Sequence, residues 1–316
     1  MKLKFSKILS LSIILILLWS YNNVLSQNNI KIVKKINNQI ITNVDILNEY
    51  NYLIALNNNL KNINLDEAYK IAENSLIREK IKYEELQKNF DLKNFNQNYL
   101  IEQIIFNIIG NLKLKDELDF ETYLKNYNLT LSEVKEKIKI EILWNQLIKI
   151  KYSNKININE ELIKKKVEFE ILQNEVIEYD LSEIVFQIQD KLELDKKIKE
   201  IENSIKLIGF DNTATKYSLS DTAKFGGKIG KIRENELSKF ILDELKQIET
   251  KQYTKPIKTG SGFMILYINN KNMIKIDTNT NEIIKKITDN ERQKQFENFS
   301  QIYFNKIKIN TIINEY

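Results

Sequence analysis

Apolar residues recur every three or four positions through most of the chain between residues 43 and 169, a spacing typical of amphipathic helices. Two β-branched stretches before them flank Asn37 and Asn38, and this pattern predicts a small hairpin because an Asn-Asn pair favours a turn. Thr42 or Asn43 is expected to cap the first helix. The predicted helices cover residues 44–56, 65–90, 100–118, 119–127, 133–148 and 160–169.

The pattern changes after residue 175, where shorter elements alternate. It predicts a strand over residues 181–188, followed by helices over 195–208 and 210–217. A glycine cluster, a short helix and two further strands complete a compact α+β unit, and they cover residues 226–230, 235–247, 253–257 and 262–268. Residues 282–304 form a charged amphipathic pattern, and the alternation over 306–313 predicts a last strand.

The first 26 residues have the pattern of a secretory signal peptide. Lys2, Lys4 and Lys7 precede an apolar run of about 12 residues, which is short of the ~20 that span a bilayer. Cleavage is expected near Ser26, and an uncleaved anchor is the alternative. The abundance of Asn, Lys and Ile suggests an AT-rich bacterial genome, so export would lead to the periplasm or to the outside of the cell. The expected location is the periplasm, with no stable membrane span after cleavage.

Composition excludes several kinds of chemistry. The chain has no cysteine and no histidine, which rules out disulfides, thiolate or imidazole metal sites and Ser-His-Asp catalysis. We expect no cofactor and no metal. The net charge is +5, but the first seven residues hold three of the excess lysines and no concentrated basic face follows, so a nucleic-acid partner is not expected.

Four motifs stand out in the second half. They are Ser218-x-Ser220 leading to Phe225-Gly226-Gly227-Lys228-Ile229-Gly230, Ile232-Arg233-Glu234-x-Glu236-Leu237, Tyr253-Thr254-Lys255-Pro256-Ile257, and Ser261-Gly262-Phe263-Met264-Ile265. In order and spacing, all four resemble the parvulin type of peptidyl-prolyl isomerase domain. Pro256, the single proline of the chain, stands where the family places its own. The glycines suit a tight turn, because glycine adopts a positive φ at little cost.

Two stretches of the first half also form a recognisable pattern: KINNQIITNVDI before a long helix, and LTLSEV leading into Ile142-Leu143-Trp144. Both resemble SurA-type periplasmic chaperones. The implied fold is α+β, with a mainly helical chaperone domain and one parvulin-like domain. The implied boundaries are a signal peptide at 1–26, the helical domain at 27–174, the parvulin-like domain at 175–272, and a C-terminal helix and strand at 273–316 that pack on the helical domain.

The resemblance also implies site residues, several of them substituted. Glu183 and Met264 stand where the family has histidines, and Ser220 stands where many members have Cys or Asp. The expected substrate-binding residues are Leu237, Ile241, Phe263, Thr259 and Ser261, and the expected structural turn is formed by Gly226, Gly227 and Gly230. Each residue also has a structural interpretation: Leu237, Ile241 and Met264 as core, and Glu183 as a solvated charge on a strand face.

Three functions follow from these expectations. The first is a periplasmic chaperone for unfolded polypeptides, in particular outer-membrane protein precursors, carrying a histidine-free isomerase domain. The second is an active peptidyl-prolyl isomerase whose helical part serves as a dock, and the third is an envelope adaptor. Because the chain lacks histidine, little pH dependence of binding is expected between pH 5 and 8 unless carboxylates are strongly shifted.

Overall fold

The computed structural model of the chain describes residues 30–92, 98–171, 175–188, 193–260, 262–275 and 280–316. The predicted signal peptide at 1–26 lies outside the described residues. Two strands open the fold, β1 (Ile32–Ile36) and β2 (Gln39–Thr42), and they form the predicted hairpin, with Asn37 in the turn at a φ of 48°. The last strand, β7 (Ile313–Glu315), pairs antiparallel with the other edge of β1.

Helices follow the hairpin, and their ends are set by local capping. Thr42 accepts a hydrogen bond from the Asp45 backbone N–H while the Asp45 carboxylate accepts from the Thr42 N–H. Thr130 and Glu133 repeat this reciprocal capping box. The helices are α1 (Asn43–Leu56), α2 (Leu65–Asn89), α3 (Asn98–Asn111), α4 (Glu117–Lys125), α5 (Leu131–Tyr152) and α6 (Glu160–Ile171).

The long C-terminal helix α9 (Thr280–Ile309) returns to this helical part and packs against α2, α5 and α6. Trp144 is fully buried at the contact, and its indole N–H donates to the hydroxyl of Ser300 at 2.8 Å. The Trp144 ring also lies 5.8 Å from the ring of Tyr303 and 6.3 Å from that of Phe304. The helical core is therefore built from two segments separated by more than 100 residues of chain.

The intervening residues form six elements: β3 (Glu175–Phe186), α7 (Leu194–Tyr217), β4 (Lys228–Arg233), α8 (Lys239–Leu245), β5 (Ile257–Thr259) and β6 (Gly262–Lys275). The four strands make an antiparallel sheet in the order β4-β3-β6-β5. One sheet face packs on α8, and the other packs on α7, which kinks at Gly209, where φ is 81°.

Polar contacts join the sheet unit to the helical part. The Asn59 side chain donates to the carboxylate of Asp211 at 3.0 Å, and Arg78 donates to the carbonyl oxygen of Ser218. Through Arg78, the helix α2 therefore anchors the start of the loop that follows Ser218. This loop contains a short 3-10 helix, Asp221–Phe225, which carries one lysine into a charged cluster between the two parts.

That cluster pairs every buried carboxylate with an ammonium group. Lys224 and Lys82 lie 2.8 and 2.6 Å from the carboxylate of Glu141, and Lys137 lies 2.6 Å from that of Glu49. Burial would raise the pKa of Glu141, but the two lysines outweigh it and hold that pKa below its ordinary value. Lys137 and Lys224 together do the same for the pKa of Glu49.

Most element types agree with the sequence-based expectations, with differences at the ends. The strand predicted over 253–257 is wrong for most of its length, because only Ile257 belongs to β5 and Tyr253 makes an isolated bridge to Tyr267. The third predicted helix stops at Asn111, and β3 begins six residues earlier than the predicted strand. The strand predicted over 306–313 is wrong, because α9 continues to Ile309 and only Ile313–Glu315 is extended. Packing of α9 on the helical core overrides the local alternation there. Among the described helices, none is long and apolar enough to cross a membrane.

Candidate functional site

A cleft lies between the α8 face of the sheet and the helix α9. Its cavity of about 330 Å³ is lined on one side by β3, β6 and α8 and on the other by a single face of α9. Lys286 and Asn290 attach α9 to the sheet unit here, since both contact the carboxylate of Glu236, at 2.8 and 2.9 Å. Near the other end of α9, Asn305 donates to the side chain of Gln187.

The floor of the cleft is apolar. Leu237 comes from the turn before α8, Ile241 from the first turn of α8, and Met264 from β6. Met264 is directly opposite Val185 of β3, so alternate residues of both strands point to the same face. The structure therefore brings Leu237 and Ile241, two of the three apolar residues expected to bind substrate, together with Met264, which stands at a histidine position of the family.

Phe263, which was expected to bind substrate, does not line the cleft. Its ring packs on the opposite face of the sheet, 5.7 Å from the ring of Phe186, in the cluster that contacts α7. The reason is the two-residue period of a strand: because Met264 faces the cleft, its neighbour Phe263 faces away. Thr259 lines the cleft as expected, and Ser261 lies outside the described residues.

The glycine turn fixes the loop beside the cleft. Gly226 and Gly227 have φ values of 72° and 75°, and Gly230, at 94°, pairs with Leu181 where β4 joins β3. A Cβ atom on Gly227 would lie 2.2 Å from the carbonyl oxygen of Glu183. The carbonyl of Gly227 in turn accepts the Glu183 backbone N–H at 2.8 Å. Only glycine permits this approach, which places the loop against the centre of β3.

Glu183 contributes a buried carboxyl group to the cleft, and its side chain is held by that loop. The residue is 8% exposed, and its Oε1 accepts hydrogen bonds from the hydroxyls of Ser220 at 2.5 Å and Thr222 at 3.0 Å. Burial raises the pKa of Glu183, although the two hydroxyl groups partly oppose the shift. The interpretation of Glu183 as a solvated strand charge does not hold.

Glu297 of α9 is a second carboxyl group in the same cleft, and sequence reasoning missed it. Burial, then the nearby Glu183, raises the pKa of Glu297 to about 7, while a hydrogen bond from Gln293 at 3.1 Å opposes the rise. A carboxyl group with a pKa raised this far is the exception that the expectation of little pH dependence between pH 5 and 8 allowed for. No local signal marks Glu297 among the many charges of its helix.

Comparison with protein families identifies the sheet unit. Residues 182–270 match the family described as Rotamase, PPIC-type PPIase domain. The second domain is of the parvulin type. The match covers less than a third of the 316 residues, and it includes the glycine turn, Glu183 and the apolar floor. It ends before α9, so Glu297 and the second wall of the cleft lie outside the parvulin-type domain.

Solved structures similar to the chain include isolated domains and longer proteins. A PpiC-type peptidyl-prolyl cis-trans isomerase domain is 25% identical and covers 30% of this chain and 92% of that chain, with a TM-score of 0.27. A structure described with PEB4 and Cj1289, SurA-like chaperones of Campylobacter jejuni, is 14% identical. The match covers 90% of this chain and 98% of that chain, with a TM-score of 0.34. PrsA from Bacillus subtilis is 18% identical, and the match covers 75% of this chain and 83% of that chain, with a TM-score of 0.27.

These TM-scores are all below 0.5, so the likenesses support no conclusion about the arrangement of the whole chain. Comparison with the curated proteins found no match. The family match of the parvulin-type domain and the geometry of its cleft are therefore the basis for a functional assignment.

Proposed function

We propose that the chain is a peptidyl-prolyl cis-trans isomerase of the parvulin type that works without histidine on unfolded polypeptides. The observation that carries this proposal is the apolar-floored cleft of about 330 Å³ within a PPIC-type domain, with Ser220, Thr222 and Glu183 at its edge. The cavity has room for a proline ring and the residue before it.

Isomerisation needs little conventional catalytic chemistry. The barrier to rotation about a peptide bond is ~18–20 kcal/mol, and no covalent bond breaks during the reaction. An enzyme lowers it by binding the twisted amide more tightly than the planar one and by offering hydrogen bonds to it. Leu237, Ile241 and Met264 supply an apolar surface for the ring, and the hydroxyl and carboxyl groups supply hydrogen bonds.

The test is isomerisation of a short X-Pro peptide measured by NMR exchange, with the purified chain starting at Gln27. We expect exchange above the uncatalysed rate, and loss of most of that increase in Leu237→Glu, because the added charge occupies the floor. Phe240→Glu is the matched control: Phe240 is 57% exposed, close by in α8, and does not line the cleft. Background exchange by a sample shown folded by circular dichroism would refute the enzymatic proposal.

A second function, binding of unfolded chains by the helical part, is supported by exposed apolar side chains. Tyr99 and Phe106 of α3 are 70% and 75% exposed, and their spacing of seven residues places them on one helix face. Leu118 at the start of α4 is 72% exposed. Large apolar side chains exposed near one another commonly mark interaction sites.

This chaperone function is proposed for the periplasm, with outer-membrane protein precursors as the clients, on the strength of the expected signal peptide and the SurA-type resemblance. Suppression of the aggregation of an unfolded outer-membrane protein tests it. We expect suppression at equimolar chain and a clear loss in the double variant Tyr99→Ser, Phe106→Ser. Equal suppression by both proteins would exclude this surface, and no suppression at several-fold excess would contradict the chaperone function.

A further inference from the structure

The cleft of the parvulin-type domain is completed by α9, which the family match does not include. One face of α9 lines it, with residues at positions 286, 290, 293, 294, 297 and 301. The contacts of Lys286 and Asn290 with Glu236 hold this face over the floor. A peptide in the cleft would therefore touch both the parvulin-type domain and α9.

The two walls bring two carboxyl groups to one cavity. Glu183 reaches it from β3 and Glu297 from α9. Of the charges that influence Glu297, Glu183 and Asp221 of the neighbouring loop oppose its ionisation, and Lys294, one turn earlier on α9, favours it. The other charged groups that line the cavity are Lys231, Glu236, Lys286 and Glu291.

Those other charges are largely compensated by their own partners. Lys286 pairs with Glu236 at 2.8 Å, Lys231 pairs with Glu178 at 3.1 Å, and Glu291 accepts a hydrogen bond from Gln295 at 3.0 Å. Glu183, Glu297 and Lys294 thus dominate the charge of the cavity among its described lining residues. Ionising both carboxyl groups there requires two like charges in a partly buried space, which is unfavourable.

The hydrogen bonds to the Glu183 side chain involve one of its two carboxyl oxygens. The hydroxyls of Ser220 and Thr222 both donate to Oε1. Oε2 is then the oxygen of this carboxyl group that can carry a proton and donate. A protonated carboxyl group has an O–H that donates a hydrogen bond, whereas an ionised one can only accept.

We propose that Glu183 and Glu297 act as one carboxyl pair that holds a single proton at neutral pH, and that this proton is donated in a hydrogen bond to a carbonyl oxygen of a bound X-Pro peptide. The identity of the peptide ligand rests on the proposed function; the pairing of the two carboxyl groups does not. Glu297 is then a substrate-binding residue contributed from outside the parvulin-type domain.

The pairing has a definite consequence for binding. Above pH 7 the second carboxyl group ionises, the donor is lost, and peptide binding must bury two charges. Affinity for an uncharged X-Pro peptide is therefore expected to fall by about tenfold from pH 6 to pH 8, the change that one proton of pKa about 7 gives over this interval when binding requires it.

The experiment combines two measurements on the full mature chain. The first is the 13C NMR titration of the glutamate carboxyl groups without peptide, and the second is the affinity and isomerisation rate of an uncharged X-Pro peptide at pH 6, 7 and 8. The variants are Glu297→Gln, which removes the second charge, and Asp289→Asn as control. Asp289 is 53% exposed on the same helix, pairs with Arg292 and does not line the cleft.

Support would consist of a carboxyl titration near pH 7 that disappears in Glu297→Gln, together with a pH-dependent affinity that becomes flat in this variant but not in Asp289→Asn. A Glu297 titration below pH 5 would overturn the pairing whether or not the chain is an isomerase. Isomerisation with a pH profile unchanged by Glu297→Gln would overturn the inference and leave the proposed function standing. Titration near pH 7 without any peptide binding would overturn the donor role and the proposed function together.

Discussion

Buried carboxyl groups occur in two regions of this molecule, and their electrostatics are opposite. In the cluster between the helical part and the loop before β4, the pKa values of Glu49 and Glu141 are held below the ordinary value by lysines. In the cleft, burial raises the pKa values of Glu183 and Glu297. Glu49 and Glu183 are 1% and 8% exposed, so burial alone does not distinguish the two regions.

The partners make the difference. Glu49 has the ammonium group of Lys137 at 2.6 Å, whereas the hydrogen bonds to the Glu183 side chain come from the hydroxyls of Ser220 and Thr222. A hydroxyl group stabilises an ionised carboxylate less than an ammonium group does, and it does not offset the loss of hydration. The cluster therefore suits fixed attachment of the two parts, and the cleft suits a group that exchanges its proton.

The largest expected effect comes from removing a lysine of the cluster. Lys137→Met would leave the buried carboxylate of Glu49 without its nearest cation, and breaking a buried pair in this way costs ~3–5 kcal/mol of unfolding free energy. Urea denaturation followed by circular dichroism at pH 7 measures this loss. Lys165→Met is the control, because Lys165 and Glu161 are 69% and 79% exposed and such a pair contributes under ~1 kcal/mol.

A loss comparable with that of the control would mean that the cluster contributes no more than a surface pair. The double variant Lys137→Met, Glu49→Gln sharpens the comparison further. It also removes the charge of the Glu49 carboxylate, which has lost its lysine partner, so it is expected to be more stable than Lys137→Met alone. If the double variant is less stable than the single one, the unpaired carboxylate is not the source of the cost.

The second effect concerns the turn that holds the cleft loop. Gly227→Ala forces a Cβ atom to within 2.2 Å of the Glu183 carbonyl oxygen at a φ of 75°, so we expect a loss on the order of 2–3 kcal/mol and weaker peptide binding. Gly110→Ala is the control: no atom lies within 4 Å of its added Cβ, and this helix position should gain roughly 0.5–1 kcal/mol. Equal unfolding midpoints for the two variants would contradict the tight approach.

The third effect is a pH dependence of stability. The folded-state pKa of Glu297 is raised to about 7, so its contribution to stability is present below its ordinary pKa and is lost as the pH rises through 7. We expect the unfolding free energy to fall by about 2 kcal/mol between pH 5 and 7.5 on this account. Urea titrations over this range should show a smaller slope in Glu297→Gln.

Glu141→Gln provides the opposite case. The pKa of Glu141 is lowered, so its contribution is present above the ordinary carboxyl pKa and is lost only as the pH falls below it. Its substitution should leave the slope between pH 5 and 7.5 unchanged. If Glu141→Gln removes the slope and Glu297→Gln does not, the contrast between the two regions is wrong.

The smallest effect tests the hydroxyl groups. Ser220→Ala removes a hydrogen bond to Glu183 Oε1, which costs about 1 kcal/mol and shifts the pKa of Glu183 further upward, because that bond favours the ionised form. The 13C titration of Glu183 measures the shift. Ser132→Ala, at an exposed position of α5, should leave it unchanged. A downward shift of the Glu183 titration in Ser220→Ala would reverse the assigned role.

Much of the fold could be predicted from the sequence because the relevant signals are local. The capping boxes at Thr42 and Thr130, the spacing of apolar residues and the Asn37 turn act over a few residues, and the elements they predict are present. The strand predicted at 306–313 failed because contacts of Tyr303 and Phe304 with Trp144 favour continued helix. The domain boundaries and the roles of the site residues stay predictions.

The sequence by itself determined the α+β class, the parvulin-type motifs and the absence of histidine chemistry, since these depend on residue type and short spacing. Only the tertiary structure decided which face Phe263 occupies, that α9 closes the cleft, and that Glu297 lies near Glu183. The physical reason is range: backbone preferences act between neighbours along the chain, whereas the free energy of a buried charge is set by groups that folding brings from distant segments.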